Sequence, residues 1–199
     1  MAIITLPTGI KFAAGSGAGQ RTYGMSTSSD ATGAGQDRTF GPSRWTLRLV
    51  SPEEMLPTEA ALWESVVIRL RGRINHLAAH DPGKVAPLGT RRGTLTLTAA
   101  AAAGATSISV SGTGTLVAGD WLQIGTGLGT SQLVKVAVDT STAAVTIEPP
   151  LRTAFAINAA VTWDKPLGYY KLASQVGQWT YGAGTLQGGF ALDLVEQWA

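Results

Sequence analysis

From Arg44 the chain alternates. In "RWTLRLV", Trp45, Leu47 and Leu49 fall on one side and Arg44, Thr46 and Arg48 on the other, the period of a strand with one buried face. The period then changes: Trp63, Val66, Val67, Leu70 and Ile74 recur at three- and four-residue spacing around "EAALWESVVIRLR". That spacing predicts a helix over about 58–71 with one apolar face, capped by Thr58 and ended by Gly72. A shorter helical start is signalled by "SPEE", with Ser51 as cap, Pro52 at the first helical position and Glu54 at the capping-box position, before Pro57 interrupts it.

Beyond Gly93 the short period returns in "TLTLTA", "TSISVSG", "DWLQIG", "QLVKVAV", "AAVTIEP" and "AAVTWD". Regular short strands with Gly-, Ala- and Asp/Thr-rich spacers indicate a compact antiparallel barrel or sandwich. "AIITLP" reads as an opening strand, and "YYKLAS", "GQWTYG" and "GFALDLVEQW" as three closing ones. Residues 15–41, rich in Gly, Ser, Thr and Ala, read as a long loop or arm that cannot bury enough surface to fold alone. No repeat of solenoid length recurs. The expected fold class is mainly β with one principal α-helix.

Composition narrows the picture. Charged residues are 14% of the 199, against roughly 25% in an average soluble protein, and there are 25 glycines. Such a chain suits strands, tight turns and buried interfaces. A net charge of +2 is too small an excess for a typical nucleic-acid binder, and the absence of cysteine excludes disulfides, thiolate metal sites and cysteine nucleophiles. "MAIITLPTGIKF" lacks the pattern of a secretory signal, and the alanine cluster 99–103 is far too short to span a bilayer.

The stretch "IRLRGRINHLAAHDPGKVAPLGTRRGT", residues 68–94, concentrates candidate chemistry. His76 and His80 have the spacing of a helical zinc motif with Asp81 beside them, but Leu77 stands where a general base would be needed. Arg69, Arg71 and Arg73 fall at the helix end, where cations offset the carbonyl partial charge. Lys84, Arg91 and Arg92 follow in a Pro/Gly-punctuated crossover without an aromatic residue for base stacking. "GTGLGT" at 125–130 precedes a strand and not a helix, so it reads as a hairpin loop and not a dinucleotide site. "GSGAGQ" at 15–20 lacks the lysine of a phosphate loop. Asp120, Asp139, Glu148 and Asp164 sit at strand ends as turn formers, and no serine lies in a nucleophile elbow. No catalytic, cofactor-binding or metal site is assigned, and no enzymatic activity is expected.

The succession "RWTLRLV", a helix with an internal Trp, "LRGRINHLAAHDP", "PLGTRRGT", "AGDWLQIG", "LVKV", "VTIEPPLRTAF" and "LGYYKL" resembles tail proteins of long-tailed bacteriophages, especially distal tail proteins of the baseplate. The likeness runs from Arg44 to Leu172, most specifically in "LRGR", "GDWLQIG" and "PPLR". It implies a β-sandwich-like belt domain at 1–90 plus 166–199 and an inserted small antiparallel β-barrel or sandwich at 91–165. It further implies a homo-oligomeric ring, usually a hexamer, that meets the tail tube protein, the baseplate hub and the tape-measure protein. The implied location is the virion, after assembly in the bacterial host cytoplasm, with no membrane insertion and no functional nucleic-acid binding. Low charge suits a subunit whose surface is covered by neighbours, and the 15–41 arm would dock on one of them. The alternative reading is a carbohydrate-binding module of a receptor-binding tail protein, with Trp121 and Trp163 stacking on sugar rings.

Overall fold

The computed structural model describes residues 1–21, 24–28, 35–39, 43–174 and 189–198. The first part of the chain supplies β1 (Ile3–Thr5), β2 (Gly17–Arg21), β3 (Gly24–Ser28), β4 (Gly35–Thr39), β5 (Arg44–Val50), α1 (Pro57–Leu70) and β6 (His76–Ala79). The central part supplies β7 (Leu95–Thr96), β8 (Ser107–Ser109), β9 (Trp121–Gly125), β10 (Ser131–Val136), β11 (Ala144–Glu148) and β12 (Ala160–Thr162). The chain returns through β13 (Gly168–Leu172) and β14 (Ala191–Glu196). The expected strand "GQWTYG" lies outside the described residues. Among the described residues the fold is mainly β with one helix, as the periodicities predict.

Strand order divides the β-structure into two six-stranded sheets and the β3–β4 hairpin. The first sheet runs β1-β6-β13-β14-β5-β2, so its strands come from both ends of the sequence; β1 and β6 are parallel and the other pairs antiparallel. One buried cluster joins Trp45, Leu47 and Leu49 of β5 with Leu77 of β6, Leu172 of β13, Leu192 and Leu194 of β14, and Trp63 and Leu70 of α1. The apolar face of α1 therefore caps this sheet. Trp63 meets Phe12 edge-on at 5.7 Å and Phe190 in a stack at 5.9 Å.

The second sheet runs β7-β12-β9-β10-β11-β8. Its two end strands meet, because Leu97 bridges Val110 and Thr98 N–H donates to the Ser109 carbonyl at 2.8 Å. The sheet thereby curls into a barrel that leaves little free edge. Alternate residues fill it: Leu95, Ile108, Leu122, Ile124, Val134, Val136, Val145, Ile147 and Val161 form one buried cluster.

Three local expectations change. Residues 15–41 are not all loop: Gly17–Arg21 pairs along β5 as an end strand, and β3 and β4 form a hairpin. Backbone pairing places 17–21 along β5, where a Cβ at Gly19 would lie 2.9 Å from the Thr46 hydroxyl oxygen. No helix forms at 52–55. Ser51 instead accepts a hydrogen bond from Phe190 N–H at 3.0 Å, and the proline at 57 disfavours helical backbone before it. The helix cap is accordingly Leu56 and not Thr58, with the Glu59 carboxylate accepting from Leu56 N–H at 3.2 Å and pairing with Lys11 at 2.6 Å.

The helix ends one residue before the expected boundary. Arg71 takes φ 48° and Gly72 φ 63°, so two successive left-handed residues turn the chain away. Ile74 consequently leaves the apolar stripe and is 58% exposed. A β-branched residue is strained at such a φ, so Gly72→Val should lower stability by at least ~1 kcal/mol. Urea denaturation of the two proteins measures this, and an unchanged midpoint would show that the turn does not depend on Gly72.

Candidate functional site

The structure disperses most of the polar residues singled out in the sequence. His76 and His80 bracket a strand, not a helical turn, so residues four apart are roughly 13 Å apart along it. They cannot share one metal ion. Among the described residues no group of three or more His, Asp or Glu side chains converges on a possible ion. His76 is buried, and burial, aided by the charge of Lys171, holds its imidazole below the usual histidine range.

Most of the crossover cations are occupied by the chain's own carbonyls. Arg91, fully buried, donates to the carbonyls of Gly114 at 3.2 Å and Thr142 at 2.7 Å. Arg92 donates to Gly89 and Arg91 at 2.7 and 2.8 Å and lies over the Trp163 ring at 4.9 Å. Lys84 donates to the Gly119 carbonyl at 3.1 Å. The carboxylates behave alike: buried Asp120 accepts from the N–H groups of Leu88, Gly89 and Val117, and Asp139 accepts from Ala118 N–H. These groups fasten the entry into the barrel. "GTGLGT" closes the β9–β10 hairpin, with Ser131 donating to the Gly127 carbonyl at 2.7 Å.

What the structure does bring together is the junction between the sheets. β9 and β10 are two-faced: Leu122, Ile124, Val134 and Val136 point into the barrel, while Trp121 and Leu133 join the core of the first sheet. Burial of both faces explains why "DWLQIG" and "QLVKV" lack clean alternation. Trp45 of β5 inserts here, its indole N–H donating to the Leu133 carbonyl at 2.8 Å and its ring edge-on to Trp121 at 4.6 Å. The Trp121 indole N–H reaches Asp81 at 3.1 Å, and Lys135 lies 4.3 Å from the Trp121 ring centre. Burial, with help from nearby Lys84, lowers the Lys135 ammonium below its usual range.

A buried ion pair completes the junction. Glu196, on the inward face of β14, accepts from Trp45 N–H at 3.1 Å and pairs with Arg152 of the second unit at 3.1 Å. The Arg152 guanidinium stacks over Trp198 at 3.9 Å, and Arg44 approaches the same ring at 4.7 Å. Burial raises the Glu196 carboxyl above its usual value against the pull of Arg152, and burial pushes Arg152 down to about 10. Taking both charges out of water opposes their mutual attraction, so removing either partner alone leaves an uncompensated buried group.

Sequence reasoning missed Glu196 and Arg152. A signal existed for the first: Leu192, Leu194 and Glu196 share one strand face, and a carboxylate in an apolar row needs a buried partner. The same junction removes Trp121 from any sugar-stacking role, since it is 3% exposed against Trp45. Trp163 is half-buried, with its indole N–H donating to the Gly93 carbonyl at 2.7 Å and Arg92 over its ring.

Geometry thus defines a mainly β chain whose barrel is locked to an open sheet by aromatic rings and one ion pair. No family model matches the chain, and no curated protein matches it. No described helix is long and apolar enough to cross a membrane.

Two measurements follow. Arg152→Met or Glu196→Gln alone should each cost about 3 kcal/mol, because each strands one buried charge or its polar partner. The double variant should cost less than the sum, read by urea denaturation; additive losses would show that the pair is not coupled. His76, depressed below its ordinary 6.5, contributes stability that is present above pH 6.5 and lost as pH falls through its folded value. Thermal melts of His76→Asn should show a weaker fall between neutral and mildly acidic pH than the parent; parallel profiles would remove His76 as the cause.

Proposed function

We propose that the chain is a non-enzymatic structural component of a long bacteriophage tail. In this reading it forms a homo-oligomeric ring, with six copies the expected number, at the distal tail or baseplate. The ring joins the tail tube protein to the baseplate hub, tape-measure and receptor-binding parts, and its location is the virion.

The observation that carries the reading is the contrast between the two sheets. The barrel meets its own ends, whereas the first sheet stops at β1 and β2, with no further strand paired to either among the described residues. Open sheet ends call for a cover, and a ring of copies supplies one. The internal use of Arg91, Arg92, Lys84 and Asp120 supports a role in holding shape over one in chemistry. The sequence likeness to distal tail proteins supplies the kind of ring. The carbohydrate-binding alternative loses one of its two stacking candidates with the burial of Trp121.

Native mass measurement with negative-stain imaging of the purified chain tests the proposal. A closed ring with a central opening is expected. A monomer at every concentration tested would overturn the ring, and a chain that binds glycans through Trp163 as a monomer would favour the alternative.

A further inference from the structure

Exposed apolar side chains are unevenly placed. Of the nine large hydrophobic residues exposed among those described, four, Met1 (86%), Ile3 (46%), Ile68 (64%) and Ile74 (58%), line one groove of about 600 Å³ between β1 and the end of α1. Arg69 and Arg71 line the same groove, and exposed Arg73 follows them. None of the three makes an ion pair among the described residues. The groove therefore has an apolar floor and a cationic rim.

The opposite end of α1 has the complementary chemistry. Leu56 is 57% exposed, directly before Pro57, and follows the exposed pair Glu53 and Glu54. Lys11 neutralises Glu59 there, but Glu53 and Glu54 make no ion pair among the described residues. One exposed leucine with two adjacent carboxylates matches a groove of isoleucines edged by guanidinium groups.

We infer that the groove receives the segment Glu53–Leu56 of a second copy of this chain, Leu56 entering the apolar floor while Glu53 and Glu54 face Arg69 and Arg71. The inference rests on the ring reading above and names the contact that would build the ring. The two patches lie at opposite ends of a helix of 14 residues, about 21 Å long, so one copy cannot fill its own groove. Contact between two copies leaves one groove and one acidic segment free, and such head-to-tail contacts end only when a ring closes. The charges add orientation, since a copy docked the other way round would set arginine against arginine.

Analytical ultracentrifugation of the full chain and two charge-reversed forms tests this. Arg69→Glu/Arg71→Glu and Glu53→Lys/Glu54→Lys change exposed positions, and circular dichroism checks that both remain folded. Each form alone should associate at least about tenfold more weakly than the parent, and raising salt should weaken the parent. Mixing the two forms should restore assembly, because every acidic groove then meets a basic segment. If both reversed forms assemble as the parent does, the contact lies elsewhere and this inference fails while the ring reading stands. Loss in the groove variant alone would overturn Glu53–Leu56 as the occupant. A parent that stops at a dimer would overturn the head-to-tail arrangement, and a parent that stays monomeric would overturn the ring reading itself.

Discussion

The position of Trp45 is the constraint on which the rest of the structure depends. A buried indole brings a large apolar surface and one donor that usually finds a partner when buried. Here the surface packs on Trp121 and the donor finds the Leu133 carbonyl, both in the second sheet. Its own backbone N–H is held by Glu196, whose charge is tolerable only beside Arg152. Arg152 in turn lies over the Trp198 ring, two residues beyond Glu196. Each buried group thus requires the next, and the circuit crosses between the sheets more than once. Apolar contact alone would let the two sheets slide; directional bonds to fixed backbone atoms do not.

The same economy explains the low charge of the chain. Many of its few ionised side chains hold carbonyls, cap turns or pair internally: Arg91, Arg92, Lys84, Asp120, Asp139, Glu196 and Arg152 each have such a partner. The charges at the ends of α1 that make no ion pair among the described residues stand out against this background. Those at the two ends are of opposite sign, and each lies beside exposed apolar side chains. The backbone shows the same contrast, since the barrel's ends meet while no further strand pairs with β1 or β2 among the described residues.

Much of the fold was legible because burial on one side imposes a period. "RWTLRLV" gave β5 its inward face, and the spacing of Trp63, Val66, Val67 and Leu70 gave α1 its stripe. Failures came where backbone, not side chains, decided the outcome. The glycine-rich 17–21 segment carries no apolar pattern, yet pairs as a strand because β5 offers it a free edge. Ile74 fits the helical spacing but lies beyond two left-handed residues, only one of them a glycine. Likewise, "SPEE" satisfied a capping pattern while Ser51 was engaged by Phe190, 139 residues away in the sequence.

The sequence by itself determined the principal helix, the alternating strands, the fold class and the absence of thiol chemistry, since these follow from local period and composition. It also showed that "HLAAH" lacks a general base. Only the tertiary structure decided that His76 opens a strand with His80 just beyond its end, that Trp121 is a core residue, and that Glu196 meets Arg152. Those outcomes depend on which distant segments become neighbours, and a one-dimensional period carries the direction of a side chain but not the identity of what it will face.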